Sequence, residues 1–422
     1  MLSRRMFSKY LGVGGASLLA SVGTSSAGNL VSPPGQAPEP GNPNFDLLIK
    51  GGTVIDPGQQ LHAQLDVAVK MGKIAEVSPD IPEKMAVKTV HAKGKIVTPG
   101  FIDIHTHCYD KVGIGVNADQ YCLRRGVTTV VDGGSAGFSM IPNFRKYIVN
   151  TSATRIRLLV DIGPFGVAVS ANYRSPENMA LVKPQLTALA VETNRPVTVG
   201  VKARLQESML QGANDIVYLR MALEAADAAH VPLMVHIDGP YSPLPELLRI
   251  MRRGDIYTHC FNNHKNGMLD GNGKIIPAAI EARQRGVIFD IAEGQEHFSF
   301  DVAEKCLQQG FHPDTISTDL TSVDAEKRVF DLPTMVSKFL ALGVDLDKAI
   351  AMVTINPSKI FDYGAEIGTL QPGKEADISI FELQDGNFEF EDGDGKTRSG
   401  RKRLVNKAVV RSGELLINEA FG

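Results

Sequence analysis

The stretch "GFIDIHTHCYD" (residues 100–110) contains two histidines at the end of an apolar, β-branched run. Its first residues predict a buried strand, and His105 and His107 fall where that strand ends. Side chains two positions apart on a strand face the same way, so both imidazoles can bind one metal ion. Two polar residues capping a strand would give the same pattern, so the nature of this pair depends on residues elsewhere in the chain.

Seven further runs of the same kind follow along the chain, and each is nearly continuous in apolar and β-branched residues, as parallel buried strands are. Helical patterns lie between the runs, for example at residues 213–230 and 299–310, where apolar residues recur every three or four positions. Eight strand–helix units predict an α/β fold, a (β/α)8 TIM barrel over residues 100–363. The runs begin at Gly100, Thr128, Ile156, Val197, Pro232, Asp255, Val287 and Thr315.

Short β-rich runs punctuated by glycine and proline lie on both sides of the predicted barrel. They include "FDLLIKGGTVIDPG" and "AVKTVHAKGKIVTPG" before it, and "IGTLQPGKEADISIFEL" and "KAVVRSGELLI" after it. This texture is typical of strands joined by tight turns. Residues 45–99 and 364–422 therefore predict a small β-sandwich domain built from both ends of the chain.

The first 27 residues have the composition of an export signal. A basic start with Arg4, Arg5 and Lys9 precedes a short apolar stretch and small residues that fit cleavage after Ala27. "SRRMFSK" resembles the twin-arginine signal, and the apolar stretch is shorter than the about 20 residues that span a bilayer. Residues 1–27 therefore predict recognition by the Tat export machinery, a periplasmic location and no stable membrane span, and residues 28–44 predict a Pro-rich linker. A frayed basic terminus is the alternative.

The composition limits the class of protein. The chain has 422 residues, of which 43% are hydrophobic and 22% charged, and its formal net charge is −3. A core for one large and one smaller domain is available, and the slightly acidic balance argues against a nucleic-acid surface. Four cysteines form no C-x-x-C pair and lie in apolar segments, which predicts buried free thiols. They are Cys108, Cys122, Cys260 and Cys306.

Metal-ligating residue types recur at the predicted strand ends. In a (β/α)8 barrel these ends surround one mouth, where the active site lies. Any one of these side chains alone can be a salt-bridged lysine, a satisfied core histidine or a helix cap. Their joint placement at five strand ends favours one metal centre. The predicted ligands are His105 and His107 on strand one, Lys202 on strand four, His236 on strand five, His259 on strand six and Asp319 on strand eight.

Lys202 is the unusual member of this set, because an ammonium would repel a metal ion. Burial lowers the pKa of a lysine and frees its amine. A free amine can add CO2 and become a carbamate, which is anionic and offers two oxygens to two metal ions. Two divalent ions balanced by this carbamate, the Asp319 carboxylate and a hydroxide keep a modest positive charge, which suits polarisation of a carbonyl.

The motifs "PGFIDIHTH", "GVKAR", "MVHI", "YTHCFN" and "STDL" resemble, in this order, the strand-end ligands of the amidohydrolase superfamily. The resemblance covers essentially all of the chain after the signal, and it is strongest to a dihydroorotase-like, metal-dependent deacetylase branch. It implies two divalent metal ions, commonly zinc, bridged by a carboxylated lysine and a hydroxide. The implied ligands are His105, His107 and Asp319 for the more buried ion, His236 and His259 for the more exposed ion, and carboxylated Lys202 between them.

The chain departs from this family pattern in two places. Dihydroorotases usually carry an arginine two residues after the paired histidines, and Tyr109 stands there instead, which argues against true dihydroorotase activity. The loop after strand seven reads "DIAEGQEHFSF", whereas many relatives have a histidine nearer the strand end than His297. Tyr109, Ser135 and His297 are predicted to contact the substrate.

The resemblance also implies the reaction. A metal-bridging hydroxide would attack the carbonyl of an acylated small molecule, such as an N-acyl amino acid, and Asp319 would act as general base and then general acid. Opening of a cyclic amide, as in dihydroorotases and hydantoinases, is a close alternative. A non-catalytic relative that uses the barrel for binding is a third, and the complete ligand set argues against it. The acyl group, the stereochemistry, amide against ester, the native metal and homo-oligomerisation stay open.

Overall fold

The computed structural model of the protein describes residues 43–167, 169, 178–210, 214–325, 329, 331–361 and 366–418. The predicted signal and nearly all of the predicted linker lie outside this range, so both stay predictions. Among the described helices, none combines the length and the hydropathy needed to cross a membrane.

A seven-stranded, fully parallel sheet carries the predicted ligands. Its strands lie side by side in chain order, and parallel hydrogen bonds join every pair of neighbours. Parallel neighbours need a crossover connection, which explains the helices between the strands. The strands are β6 (Phe101–Thr106), β7 (Val127–Asp132), β8 (Arg155–Asp161), β9 (Thr198–Leu205), β10 (Leu233–Ile237), β11 (Ile256–Thr258) and β12 (Ile288–Phe289).

Helices follow the strands of this sheet, as the sequence periodicity predicts. In the helix spanning Asp215–Ala228, the Asn214 side chain caps the start by accepting from the Val217 N–H, and the buried residues recur every three or four positions. The helices are α1 (Ala118–Tyr121), α2 (Ile141–Tyr147), α3 (Pro184–Thr193), α4 (Glu207–Leu210), α5 (Asp215–Ala228), α6 (Leu244–Ile250), α7 (Pro277–Arg285), α8 (Phe300–Gln308), α9 (Leu332–Ala341), α10 (Leu346–Ala351) and α11 (Ile355–Ile360).

Alternation along the strands separates the predicted ligands from the main hydrophobic core. In β9, Val201 and Ala203 belong to that core, and Lys202 between them faces the other side. In β10, Val235 belongs to the same core, and His236 faces the other side. The core also contains all four cysteines as buried free thiols, which confirms the prediction. They are Cys108, Cys122, Cys260 and Cys306.

The eighth predicted strand does not form a regular strand. Residues 315–320 make only isolated parallel bridges, which link them to the ends of β12 and β6. The backbone N–H of Asp319 donates to the His105 carbonyl at 2.6 Å, and the N–H of Gly294 donates to the Thr318 carbonyl at 2.9 Å. A regular ladder is interrupted because Asp319 has a left-handed backbone conformation with φ 52°. The structure therefore shows seven strands and an eighth run hydrogen-bonded at both edges of the sheet.

Strands from both ends of the chain form one hydrogen-bonded, eight-stranded sheet separate from the parallel sheet, in agreement with a small β-domain built from both chain ends. The sheet branches at a bend of the long first strand at Gly51 and Gly52, where one half of the strand pairs with the fourth strand and the other half with the fifth. Gly51 has φ 73°, and a Cβ at Gly52 would lie 2.4 Å from the Val97 side chain. The strands are β1 (Phe45–Asp56), β2 (Leu61–Lys70), β3 (Lys73–Ser78), β4 (Ala86–His91), β5 (Ile96–Pro99), β13 (Ile378–Glu391), β14 (Thr397–Arg411) and β15 (Glu414–Asn418).

A buried ion pair joins the two sheets. Arg155, at the start of β8, is 8% exposed and pairs with Asp377, which immediately precedes β13 and is 2% exposed. The same guanidinium contacts Glu375 at 3.0 Å and donates to the Thr129 hydroxyl at 3.0 Å. Loss of Asp377 would leave Arg155 with only the less buried Glu375 as a counter-ion, so this contact constrains how the sheets meet.

Replacement of Asp377 by alanine should lower the free energy of unfolding by about 3–5 kcal/mol, because both Arg155 and Arg411 lose their most buried counter-ion. The matched control is Asp385→Ala, which removes the exposed partner of Lys402 and should cost less than about 1 kcal/mol. Urea denaturation followed by circular dichroism measures both changes. Equal effects of the two substitutions would contradict a structural role for the buried pair.

Candidate metal centre

His105, His107 and Asp319 form a tight, buried group at the carboxyl end of the parallel sheet. The Nε2 atoms of His105 and His107 lie 3.3 Å and 3.1 Å from Oδ1 of Asp319. One potential ligand atom from each of the three residues lies within 4.8 Å of the others. Lys202 is 1% exposed and places its Nζ 2.8 Å from Nε2 of His105. Four of the six predicted ligands therefore meet in one place.

His236 and His259 complete the set beside this group. Their ring centroids lie 4.2 Å apart, and the His259 ring lies 5.1 Å from that of His105. Nε2 of His259 is 4.0 Å from Oδ2 of Asp319. A third imidazole, His297, lies 4.3 Å from the His259 ring, and its ligand atom comes within 4.8 Å of those of His236 and His259. The structure thus brings all six predicted ligands together and adds His297 as a seventh potential ligand.

Hydrogen bonds fix which ring nitrogen of two histidines is free. The Thr258 hydroxyl lies 2.9 Å from Nδ1 of His105 and donates its own proton to Asp290 at 2.7 Å. A hydroxyl has one proton, so the Thr258 oxygen accepts a hydrogen bond from Nδ1–H of His105. Nε2 of the neutral His105 ring is therefore unprotonated and carries a lone pair. Nδ1 of His259 lies 2.6 Å from the carbonyl oxygen of Ala292, which can only accept a hydrogen bond. The proton is therefore on Nδ1, and Nε2 of His259 also carries a lone pair.

His107 is oriented in the same way. Its Nδ1 lies 2.9 Å from the Ser135 hydroxyl, which donates to Asp132 at 2.8 Å. Nε2 of His107 is therefore unprotonated and carries a lone pair, although it lies 3.1 Å from Oδ1 of Asp319. Two electron-rich atoms at this distance repel each other unless a cation lies nearby. This donor set of neutral imidazoles and a carboxylate fits a divalent metal ion.

Two further observations favour metal binding. Nε2 of His236 and Nε2 of His259 are buried and have no hydrogen-bond partner within the described ranges, and such orphaned groups cost about 1–3 kcal/mol each. Burial also lowers the pKa of both imidazoles well below the ordinary histidine value, because it disfavours the charged form. Both rings are therefore neutral, as metal ligands must be.

The environment of Lys202 frees its amine. Burial lowers the pKa of this lysine to about 8, with smaller opposing contributions from Asp319 and Asp161. A substantial fraction of the amine is therefore neutral near pH 8, and a neutral amine can react with CO2.

Two glycines after β7 make room for the ligands, and the sequence reasoning missed them. A Cβ at Gly133 would lie 2.3 Å from Cδ2 of His105, and a Cβ at Gly134 would lie 2.7 Å from Cγ of Lys202. The signal was the pair of glycines in "TTVVDGG", directly at a strand end that faces the predicted mouth. The close approach of His105 and Lys202 therefore requires residues without side chains here.

Backbone strain is concentrated at the same place. His259 has φ 66°, Asp319 has φ 52° and Ala292, whose carbonyl orients His259, has φ 46°. Such conformations cost non-glycine residues on the order of 1–3 kcal/mol and cluster at functional sites. His259 and Asp319 lie just outside the regular strands, and the left-handed backbone at these two positions directs their side chains towards the other candidate ligands.

A cavity of about 460 Å³ opens onto the centre. Besides the ligands, Arg204 lies on its wall and donates to the Gln206 side chain at 2.8 Å. Arg204 follows Lys202 by two positions on β9, so both face the cavity, and this spacing was the signal that could have found it. The wall consists of His107, Ile114, Val167, Lys202, Arg204, Gln206, Ser208, Met209, His236, Gln295, Glu296, His297, Asp319, Thr321, Val323 and Asp324.

The three predicted substrate contacts lie in different surroundings. His297 lines the cavity. Ser135 lies behind His107, which it orients, and it does not line the cavity. Tyr109 stacks on Phe144 in the hydrophobic core, with ring centroids 4.2 Å apart, and is 7% exposed. Of the three, the geometry gives only His297 a direct position beside a bound substrate.

Comparisons with known proteins identify the family. A sequence model described as the amidohydrolase family matches residues 96–414, so the chain belongs to that family and is a hydrolase acting on C–N bonds. A protein named deacetylase from Enterococcus faecalis is 33% identical over 380 residues, which cover 89% of this chain and 100% of the relative. The family membership predicted from the sequence is confirmed.

Two solved structures agree with this assignment. A crystal structure of an adenine deaminase superposes with a TM-score of 0.81 at 32% identity, covering 89% of this chain and 100% of that one. A crystal structure of a dihydroorotase superposes with a TM-score of 0.80 at 27% identity, covering 88% of this chain and 99% of that one.

Introducing a methyl group at Gly133 should weaken metal binding about tenfold or more, because it displaces the His105 ring. The matched control is Gly271→Ala, where an added Cβ meets nothing within 4 Å. Bound zinc is measured by atomic emission after dialysis of each protein against graded chelator concentrations, and circular dichroism checks the fold. Retention of wild-type zinc affinity by Gly133→Ala would show that His105 is not a ligand.

Proposed function

We propose that the protein is a binuclear metal-dependent deacylase that cleaves the amide or ester bond of a small acylated anion, such as an N-acyl amino acid. The observation that carries this proposal is the set of imidazole lone pairs and carboxylate oxygens that face one another without protons between them. The relatives named deacetylase from Enterococcus faecalis and Brucella anthropi support acyl chemistry. The cavity size suits a small molecule.

Two divalent ions, in our proposal zinc, would be held by the residues that the structure brings together. Ions bound there supply a polarised scissile carbonyl and a water of lowered pKa. His105, His107 and Asp319 would hold one ion, and His236 and His259 the other. Carboxylated Lys202 would bind both.

Carboxylation of Lys202 is chemically accessible in this site. The neutral amine attacks the carbon of CO2, the N–C bond forms and one N–H proton leaves, so that the side chain becomes an anion. The lowered pKa of the amine and the space left by Gly133 and Gly134 support this reaction. The product replaces a buried cation by a buried anion, which the two metal ions would neutralise.

Asp319 is the group that we assign to proton transfer. Its Oδ1 has no hydrogen-bond partner within the described part of the protein, and the carboxylate lines the cavity. Asp319 would take a proton from the attacking water and deliver it to the leaving nitrogen or oxygen as the acyl bond breaks. Its left-handed backbone directs the carboxylate between the imidazoles and the cavity.

Arg204 is the group that we assign to the anionic end of the substrate. It lies on the same face of β9 as Lys202, and its guanidinium contacts Gln206 on the cavity wall. A guanidinium binds a carboxylate with two parallel hydrogen bonds. An acylated amino acid with its carbonyl at the ligands would direct its carboxylate along this wall.

We propose that residues 315–320 act as the eighth member of a (β/α)8 barrel, since they are hydrogen-bonded at both edges of the sheet. We also propose that residues 1–27 direct export to the periplasm through the twin-arginine route, on the strength of their sequence.

A substrate screen on zinc-loaded protein tests the proposed function. N-acetyl-D- and L-amino acids, acetylated hydroxy acids, dihydroorotate, hydantoins and adenine are compared by product detection. We expect turnover of at least one acylated acid, and a loss of about 10²–10⁴-fold in kcat for Asp319→Asn. Turnover of cyclic amides alone would favour the cyclic amidohydrolase alternative, and turnover of adenine alone would contradict acyl transfer.

Replacement of Arg204 by methionine should raise KM for an acylated amino acid about 10–100-fold, because a charge-assisted hydrogen bond is lost. The same variant should change KM little for the corresponding neutral amide, which lacks the carboxylate. Arg401→Met, at an exposed position on β14, serves as the control for loss of a positive charge. Equal effects on the charged and neutral substrates would show that Arg204 does not select the anion.

A further inference from the structure

We propose that His297 is a third imidazole ligand of the more exposed metal ion, positioned by the carboxylate of Asp238. This inference rests on the proposed binuclear centre, because it assigns one more ligand to the second ion. The ligand set implied by the family resemblance does not include His297, which the sequence predicts only as a substrate contact.

The position of the His297 ring supports coordination. Its centroid lies 4.9 Å from that of His236 and 4.3 Å from that of His259, so the three imidazoles surround one small space. One potential ligand atom from each lies within 4.8 Å of the other two. The His297 side chain is 13% exposed, which is less than a freely moving surface histidine would show. An ion bound by His236 and His259 is therefore within reach of His297.

The carboxylate of Asp238 lies beside Nδ1 of His297. Its Oδ2 lies 3.3 Å from Nδ1 of His297, and its Oδ1 accepts a hydrogen bond from Nδ1 of His264. A carboxylate oxygen repels a lone pair at this distance, so the Nδ1 proton of His297 faces Asp238 and Nε2 keeps the lone pair. A histidine whose second nitrogen faces a carboxylate is the usual arrangement of a metal ligand.

Asp238 is itself well placed for this task. It follows His236 by two positions at the end of β10, so the two side chains leave the strand on the same side. It is 2% exposed, and the contact with His264 holds it from the solvent side. The carboxylate thus occupies a fixed position behind the His297 ring.

The two glutamates of the loop that follows β12 (Ile288–Phe289) and carries His297 do not take part in these imidazole groups. Glu293 is buried and forms an ion pair with Lys338 at 2.5 Å. Glu296 lines the cavity but belongs to none of the groups that can hold an ion within the described residues. His297 is therefore the side chain through which this loop reaches the centre.

The chemistry of zinc favours a third imidazole. Two imidazoles and one shared carbamate oxygen would give the second ion three protein ligands, and His297 would add a fourth, which stays within the three or four that zinc sites usually take. A third nitrogen ligand raises the affinity of the site for the ion. The proposed consequence is tighter binding of the second ion than two histidines provide.

Metal titration of the full-length protein tests the proposal. Apoprotein prepared with a chelator is titrated with Zn²⁺ and with Co²⁺ in bicarbonate buffer, and stoichiometry, the two dissociation constants and the cobalt absorption spectrum are measured. The wild-type protein should bind two ions. His297→Ala and His297→Gln should both weaken the second ion about 10–100-fold, leave the first unchanged and alter the cobalt spectrum. Asp238→Asn should weaken the second ion less.

The control is His62→Ala, which removes a half-exposed imidazole that pairs with Asp347. It should leave both dissociation constants unchanged. If both His297 variants bind two ions with wild-type affinity and an unchanged cobalt spectrum, the proposal is overturned, and the binuclear centre stands. If the wild-type protein itself binds fewer than two ions, the proposed function and this inference both fail.

Discussion

The burial of a lysine amine among neutral imidazoles is the constraint on which the rest of the site depends. Lys202 is 1% exposed and lies 2.8 Å from the Nε2 lone pair of His105. A buried ammonium costs several kcal/mol, and burial accordingly lowers the pKa of this amine to about 8. The glycines at positions 133 and 134 admit the lysine, and the interior face of β9 holds it. These features together fit a lysine that functions as something other than an ammonium.

Two buried carboxyl groups, those of Asp103 and Asp290, hydrogen-bond to the run of residues that carries Asp319. Burial raises the pKa of Asp103 to about 7 and that of Asp290 to about 6, and hydroxyl donors offset part of this effect. Asp103 accepts from the Thr318 hydroxyl at 2.6 Å, and Asp290 accepts from Thr315 at 2.7 Å. These contacts tie residues 315–320 to the strands on either side. Side-chain hydrogen bonds therefore hold the eighth run where a regular ladder is interrupted, and Asp319 is free to turn towards the imidazoles.

The grouping of the candidate ligands could be predicted from the sequence, because it depends on strand composition and on alternation along each strand. His105, Lys202, His236 and His259 lie on strands or at strand ends whose apolar composition is visible, and alternation determines which side they face. The irregular eighth run could not be predicted, because the left-handed turn at Asp319 is a response to its neighbours in space. The branching of the second sheet could not be predicted for a similar reason, since it depends on a bend of β1 that lets this strand pair with two others on the same side.

Contacts between segments that are distant along the chain could not be predicted from the sequence either. Tyr109 was predicted beside the substrate from its place in the motif, yet the ring stacks on Phe144, a contact that no local pattern specifies. The grouping of Asp238, His264 and His297 joins two loops with the end of β10, which only the folded chain reveals. Arg204 could be predicted from the sequence, since it lies two positions from Lys202 on the same strand and alternation places both side chains on one face.

Anomalous diffraction from zinc-loaded crystals tests most directly whether these side chains form a binuclear centre. Data collected above and below the zinc absorption edge locate each bound ion without assumptions about its ligands. The account predicts two neighbouring peaks, one among His105, His107 and Asp319 and one beside His236 and His259, with continuous density from Lys202 to both. A single peak, or peaks confined to surface sites such as the His62–Asp347 pair, would contradict it.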